Sequence, residues 1–313
     1  MIVDVHVHVY DEGWIPQAFM RGLGEVVAAN VAKSTGEFPD PDILLRGAVK
    51  QLKDPEGDLL LADMDEAGVD VSVIFPVDYA LGAQEPCSGA SECVPIATQN
   101  QIFSRISAKH GKRLVHFVGI DPRRKDAAKQ VEIGVTEQGA RGVKLHPTAG
   151  FYPDNPICHP VYRKAQELGV PVLFHTGTQP VPMKAKYARP VFIDSVAADF
   201  PDLKIVMAHV GLCWWEEAIA LAGTKWNLYV DFSGWQRTFT LHPDKFYGML
   251  RTALDEIGPW RVMFGTDNPY LKLVLPTRQW IDAVKDAPKS HISFSQEEID
   301  IILGQAAAKL LKL

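Results

Sequence analysis

The chain has 313 residues, 47% of them hydrophobic and 22% charged, a balance that excludes a disordered or fibrous protein. No apolar run reaches the roughly 18 residues needed to cross a bilayer. The formal net charge of −6 is spread without long like-charge runs, which argues against nucleic acid or an anionic membrane as the main partner and leaves a small molecule as the expected one, with a homo-oligomer also compatible.

Taken in order, the first residues already read as a strand and leave no room for the basic and apolar regions of a secretory signal, so a cytoplasmic location is expected. Eight short β-branched or apolar runs follow one another at residues 2–9, 69–76, 114–120, 142–147, 170–176, 204–210, 228–233 and 261–266. Longer helical patterns separate most of them, at 58–67, 94–109 closed by Gly111, and 160–168 closed by Gly169. Ser295-x-x-Glu298 forms a capping-box pattern ahead of a closing helix. Eight such units predict a single (β/α)8 TIM barrel over residues 1–313, an α/β fold. The competing open doubly wound sheet needs a Gly-rich nucleotide loop, and neither GxGxxG nor a Walker-type loop is present.

Residues 10–55, rich in Gly, Pro and charge, interrupt the rhythm after the first run and are expected to form a lid-like insertion. Further irregular stretches at 78–93 and 177–190 also follow runs, and in a barrel that end of the strands is the functional face. The cysteines Cys87, Cys93, Cys158 and Cys213 show no CxxC pairing and are expected to be reduced thiols.

In the first run Asp4, His6 and His8 alternate with Val3, Val5, Val7 and Val9, so both imidazoles share the interior face. Placed one residue apart, at Cα atoms about 7 Å from each other, they can converge on one cation. As mere strand residues they would be buried imidazoles without partners. His175 ends the fifth run, His209 the sixth, and Asp267 follows the eighth. Any one alone is more often a hydrogen-bonded residue than a ligand. Five metal-competent groups at one end of four strands point to a metal centre.

These motifs, together with Gly142-Val-Lys-Leu-His-Pro147, His175-Thr-Gly177, Phe200-Pro-Asp-Leu-Lys-Ile-Val-Met-Ala-His-Val-Gly211 and Gly265-Thr-Asp-Asn-Pro269, make the sequence resemble the amidohydrolase superfamily. Within it the likeness is to the amidohydrolase 2 family, which includes hydrolases and non-oxidative decarboxylases. The resemblance implies that His6, His8, His175 and Asp267 hold one divalent ion and that His209 transfers protons, with Asp267 able to share that work through its free oxygen. Three nitrogens and a carboxylate suit zinc, with manganese or iron as alternatives. In binuclear relatives a lysine like Lys144 is carbamylated and bridges two metals. The single-metal reading is preferred here, with Lys144 as an unmodified ammonium whose counter-ion is a substrate carboxylate or Asp231. His146 is then second to the metal or a loop cap, and Lys144, His146, Trp235 and Arg237 are substrate-binding candidates. Lys184, Lys186 and Arg189 crowd one loop as a further anion site, and Arg46 is a weaker candidate; a solvated loop is the plainer account. His110, His116, His159, His242 and His291 are read as structural or surface residues. The expected function is hydrolysis of a C–N or C–O bond in a small carboxylate-bearing substrate by activated water. A decarboxylase of an aromatic or unsaturated acid is the alternative, and an inactive barrel serving as a binding protein is the third.

Overall fold

A computed structural model describes residues 1–79, 87–90 and 92–313. Nine strand segments carry the eight predicted runs: β1 (Val3–Val7), β2 (Val71–Ile74), β3 (Leu114–His116), β4 (Val118–Gly119), β5 (Val143–Leu145), β6 (Val172–Phe174), β7 (Ile205–Met207), β8 (Leu228–Asp231) and β9 (Val262–Met263). All pair in parallel and in sequence order, as β1-β2-β3 and β4 through β9. The third run divides at Phe117: β3 pairs back to β2, while β4 pairs forward to β5. The last strand returns to the first. Val5 N donates to Phe264 O (3.0 Å), Asp267 N to His6 O (2.8 Å) and His8 N to Asn268 O (2.7 Å).

Asp4 fastens that seam from inside. Its carboxylate accepts Thr266 N (3.0 Å), Thr266 Oγ1 (2.6 Å) and its own strand's His6 N (3.2 Å). The strand valines Val3, Val7, Val73, Val143, Val172 and Val230 are fully or almost fully buried. At about 1.5–3 kcal/mol for each side chain withdrawn from water, they make the barrel wall a large part of the fold's stability.

Helices α3 (Asp58–Ala67), α4 (Ile96–His110) and α6 (His159–Leu168) fall where the apolar spacing placed them. Ser295 and Glu298 form the reciprocal cap expected of α12 (Gln296–Asp300), after which a π turn at Ile301–Gln305 leads to α13 (Ala306–Leu311). The 10–55 segment is more ordered than its composition suggested, holding α1 (Gln17–Thr35) and α2 (Pro41–Leu52). Two of its glycines, Gly22 and Gly24, serve close packing inside the first helix: a Cβ on Gly22 would run into the Val181 carbonyl oxygen of the connection after β6. Helix α1 therefore lies against the carboxyl-end face of the barrel, and its Phe19 stacks on Tyr79 after β2 (ring centroids 4.8 Å apart).

The expectation of four reduced cysteines holds for Cys158 and Cys213 but fails for the other two, because Cys87 and Cys93 form a disulfide. The chain there folds back on residues 13–16. Ser88 N donates to Ile15 O and Gly13 N to Ser88 O (2.9 Å each), Val94 N donates to Gly13 O (2.8 Å), and the two Cα atoms come within 4.9 Å. Of the irregular stretch at 78–93, residues 80–86 and 91 lie outside the described residues.

His116 is buried at the end of β3 with neither ring nitrogen hydrogen-bonded, and burial pulls its pKa down to about 4. The unfolded chain takes up that proton near 6.5, so stability is undiminished above that pH and falls as the pH drops toward 4. Urea titrations from pH 7 to 4 should show His116→Leu recovering roughly 2–3 kcal/mol of the acid loss. Parallel pH curves for the two proteins would show that His116 carries none of it.

Candidate metal centre

The residues that end the strands converge. His6 lies on β1, with His8 just beyond it. Asp267, in the left-handed region (φ 58°), follows β9 and hydrogen-bonds back to the His6 carbonyl. Asp267 Oδ1 is 3.2 Å from His8 Nε2 and 3.6 Å from His6 Nε2. On its other side His6 places Nδ1 3.1 Å from Asp231 Oδ2. A carboxylate oxygen only accepts, so Nδ1 carries the proton and the Nε2 lone pair faces Asp267. Lys144 Nζ reaches the same His6 Nε2 at 3.3 Å and lies over the Phe75 ring at 4.8 Å.

His175 and His209 continue the cluster, with His209 Nε2 3.1 Å from His175 Nδ1. His209 opens a turn in which four successive residues have positive φ: 61° at His209, 48° at Val210, 73° at Gly211 and 49° at Leu212. For Val210, a β-branched residue, this conformation is strained, and the surroundings must hold it. They do so from the segment after β8. Asp231 Oδ1 accepts His209 N (3.2 Å), Trp235 Nε1 donates to His209 O (2.8 Å), and the ring lies so close to Gly234 that a Cβ there would sit 3.0 Å from Nδ1. His146 stacks on His175 with centroids 4.3 Å apart and has Thr148 Oγ1 at 2.7 Å from its Nδ1.

Burial sets the electrostatics. It holds His6, His8, His146 and His175 below the usual imidazole range, so they present neutral nitrogens. Burial alone would raise the Asp267 carboxyl, but the His8 hydrogen bond and the nearby His209, His6 and His8 outweigh it and keep the group ionised. Lys144 is drawn down to about 8 by burial, against the pull of Asp231 and Asp267.

Four of the expected residues, His6, His8, Asp267 and Lys144, thus meet directly, and His175, His209 and His146 join them ring to ring. Trp235, expected as a substrate-binding candidate, has its indole buried and occupied with the His209 carbonyl. Arg237, half-buried on α9 (Gln236–Leu241), makes no hydrogen bond or ion pair with a site residue among the described residues. The basic loop faces solvent: Arg189 pairs with Glu217 (2.8 Å), Lys186 lies over Tyr187 (4.8 Å), and Lys184 is exposed, as is Arg46 on α2. Asp231, which the sequence suggested only as a counter-ion for Lys144, instead orients histidines. Ser233 and Gln236 gave no signal. Gln236 Nε2 donates to the Thr266 carbonyl beside Asp267.

Among the described residues, two groups bring ligand atoms within 4.8 Å of one another: His6, His8 and Asp267, and His6, His209 and Asp231. In the second group the Asp231 oxygens already accept His6, His209 and Ser233. The first suits a divalent ion better, offering two nitrogen lone pairs and an ionised carboxylate. His175 belongs to neither group, but its buried Nε2 has no hydrogen-bond partner and so keeps a free lone pair or proton at the edge of the cluster.

A family model described as amidohydrolase matches residues 3–313. The chain belongs to the amidohydrolase family. No curated protein sequence matches it. Among solved structures it is similar to 5-carboxyvanillate decarboxylase from Sphingomonas paucimobilis, at 16% identity and TM-score 0.66 over 100% of this chain and 99% of that one. It is also similar to an amidohydrolase from Burkholderia multivorans with bound zinc, at 15% identity and TM-score 0.69, with the same coverage. A third is a probable 2-pyrone-4,6-dicarboxylic acid hydrolase from Acinetobacter baumannii with citric acid bound, at 15% identity, TM-score 0.65 and again the same coverage. At these identities the amidohydrolase likeness is one of fold.

Elemental analysis of the protein purified without chelator should find about one divalent metal per chain, reduced to background in His6→Ala, His175→Ala and Asp267→Asn and retained in His209→Asn. Intact mass should show an unmodified Lys144. Two metals with a carbamyl mass on that lysine, or loss of metal in His209→Asn, would overturn this division of roles.

Proposed function

We propose that the chain is a metal-dependent hydrolase of a small carboxylate-bearing substrate, with His6, His8, His175 and Asp267 as the ligands. The observation that carries this reading is the approach of His6 Nε2 and His8 Nε2 to one Asp267 oxygen, beside a His175 Nε2 that is buried without a partner. A divalent ion held there would polarise a carbonyl and make water nucleophilic near neutral pH, and zinc suits the donor set. The protein supplies the rest. Asp231 fixes the His6 ring, and accepting a proton from water and returning it to the departing group are the roles assigned to His209 and the free Asp267 oxygen. Lys144, buried against Phe75, offers the interior a cation for the substrate carboxylate in place of the solvent-facing loop lysines. Helix α1, packed on the connections after β2 and β6, is assigned the role of a lid.

A second reading, non-oxidative decarboxylation, is favoured by the rings around the site. Phe75 meets both His6 and His8 edge-on at 5.0 Å, Tyr270 lies 5.4 Å from His8, and Tyr79 lies 4.9 Å from His146. Such walls suit a flat unsaturated acid, which His209 would protonate as carbon dioxide departs.

The two are separated by assaying zinc- and manganese-loaded protein against lactones, amides and unsaturated or aromatic acids in water enriched in heavy oxygen. Label in the product without carbon dioxide release is the expected result, and His209→Asn should lower turnover by roughly two to four orders of magnitude. Carbon dioxide release without label would establish the decarboxylase.

A further inference from the structure

His209 is held at its backbone nitrogen by Asp231 and at its carbonyl by Trp235, and Ser233 takes its ring. His209 Nδ1 lies 2.9 Å from Ser233 Oγ and 3.2 Å from the Ser233 carbonyl oxygen. The carbonyl only accepts. The hydroxyl has one proton, and its oxygen also touches Asp231 Oδ1, a stronger acceptor that also takes Ser233 N at 3.0 Å. Once the hydroxyl donates to Asp231, both Ser233 oxygens face His209 as acceptors.

We infer that Ser233 is a positioning residue that holds the proton of neutral His209 on Nδ1 and so presents Nε2 as the accepting nitrogen. The consequence passes to the next ring. His209 Nε2 lies 3.1 Å from His175 Nδ1, so a lone pair on the first requires a proton on the second. The Gln179 amide, 3.3 Å from the same His175 nitrogen, suits this once its two ends, nearly equal in size, are exchanged so that Oε1 accepts. His175 is then left with its lone pair on Nε2, the buried atom that has no partner. The opposite assignment would put a proton on that nitrogen, leaving a buried donor unsatisfied and unable to bind a cation. His175, His209, Ser233 and Asp231 thus form a directed line of hydrogen bonds, each donating to the next, that leaves the His175 Nε2 lone pair open to a cation.

This inference rests on the proposed division of roles between His209 and His175, but its test does not need a substrate. Protein labelled with 15N in histidine is examined by two-bond proton–nitrogen correlation at a pH where the site histidines are neutral, without metal and after adding zinc. The His209 and His175 signals are identified by their absence in His209→Asn and His175→Ala. Both rings should be Nδ1-protonated in the metal-free wild type. In Ser233→Ala the His209 Nδ1–H signal should lose intensity to the Nε2–H form, and zinc affinity, read by chelator competition, should fall about tenfold, the usual cost of losing an outer partner of a ligand. Ser233→Thr, which keeps the hydroxyl, should restore both. An Nε2-protonated His209 in the wild type overturns the inference, as does a Ser233→Ala variant with wild-type tautomers. Wild-type protein with the expected tautomers but no zinc binding would support the inference while removing the metal reading.

Discussion

The buried carboxylate of Asp231 is the constraint on which the candidate site depends. Fully withdrawn from solvent at the end of β8, it must be satisfied by hydrogen bonds, and it takes four: His6 Nδ1 on one oxygen, and His209 N, Ser233 N and Ser233 Oγ on the other. Each fixes something the chemistry needs. The first turns the His6 lone pair toward Asp267, the second helps hold a strained turn, and the remaining two align the serine that faces His209. An unsatisfied buried carboxylate would be costly, so these four groups have little freedom to rearrange.

The barrel makes this arrangement available by bringing the ends of β1, β7, β8 and β9 together. Closure between β9 and β1 runs through Asp4, whose carboxylate grips Thr266, and the next residue is Asp267. Gln236 reaches the Thr266 carbonyl from the β8 side. The seam that completes the barrel and the carboxylate of the proposed ligand set therefore lie in the same few residues. Strain at residues 209–212 belongs to the same economy of structure, since it sets His209 against His175 instead of letting strand β7 run on.

Much of this was legible in the sequence, for identifiable reasons. Short β-branched or apolar runs separated by helical patterns marked all eight strand positions in the barrel, and alternation along residues 3–9 put His6 and His8 on one face. The terminal residues His175, His209 and Asp267 stood out as polar groups ending apolar runs. Helix α1 did not, because its glycines at 22 and 24, which admit close backbone contacts, read as loop. The disulfide escaped because a pairing six residues apart depends on how the loop folds over residues 13–16. Where Trp235 and the loop cations point was not legible, because a side chain's direction is set by tertiary contacts that spacing does not record. Asp231 ends a strand as plainly as His175 does, and the same rule applied to acids would have placed it in the site. Ser233 carries no such mark, since serine after a strand is ordinary turn chemistry.

The most direct test of the central claim is the position of the ion itself, by anomalous diffraction from crystals of the protein loaded with zinc. The account predicts one peak about 2.0–2.2 Å from His6 Nε2, His8 Nε2, His175 Nε2 and one Asp267 oxygen, with Asp231 still hydrogen-bonded to His6 Nδ1. A peak seated instead among His6, His209 and Asp231, the other group of converging ligand atoms, would contradict it.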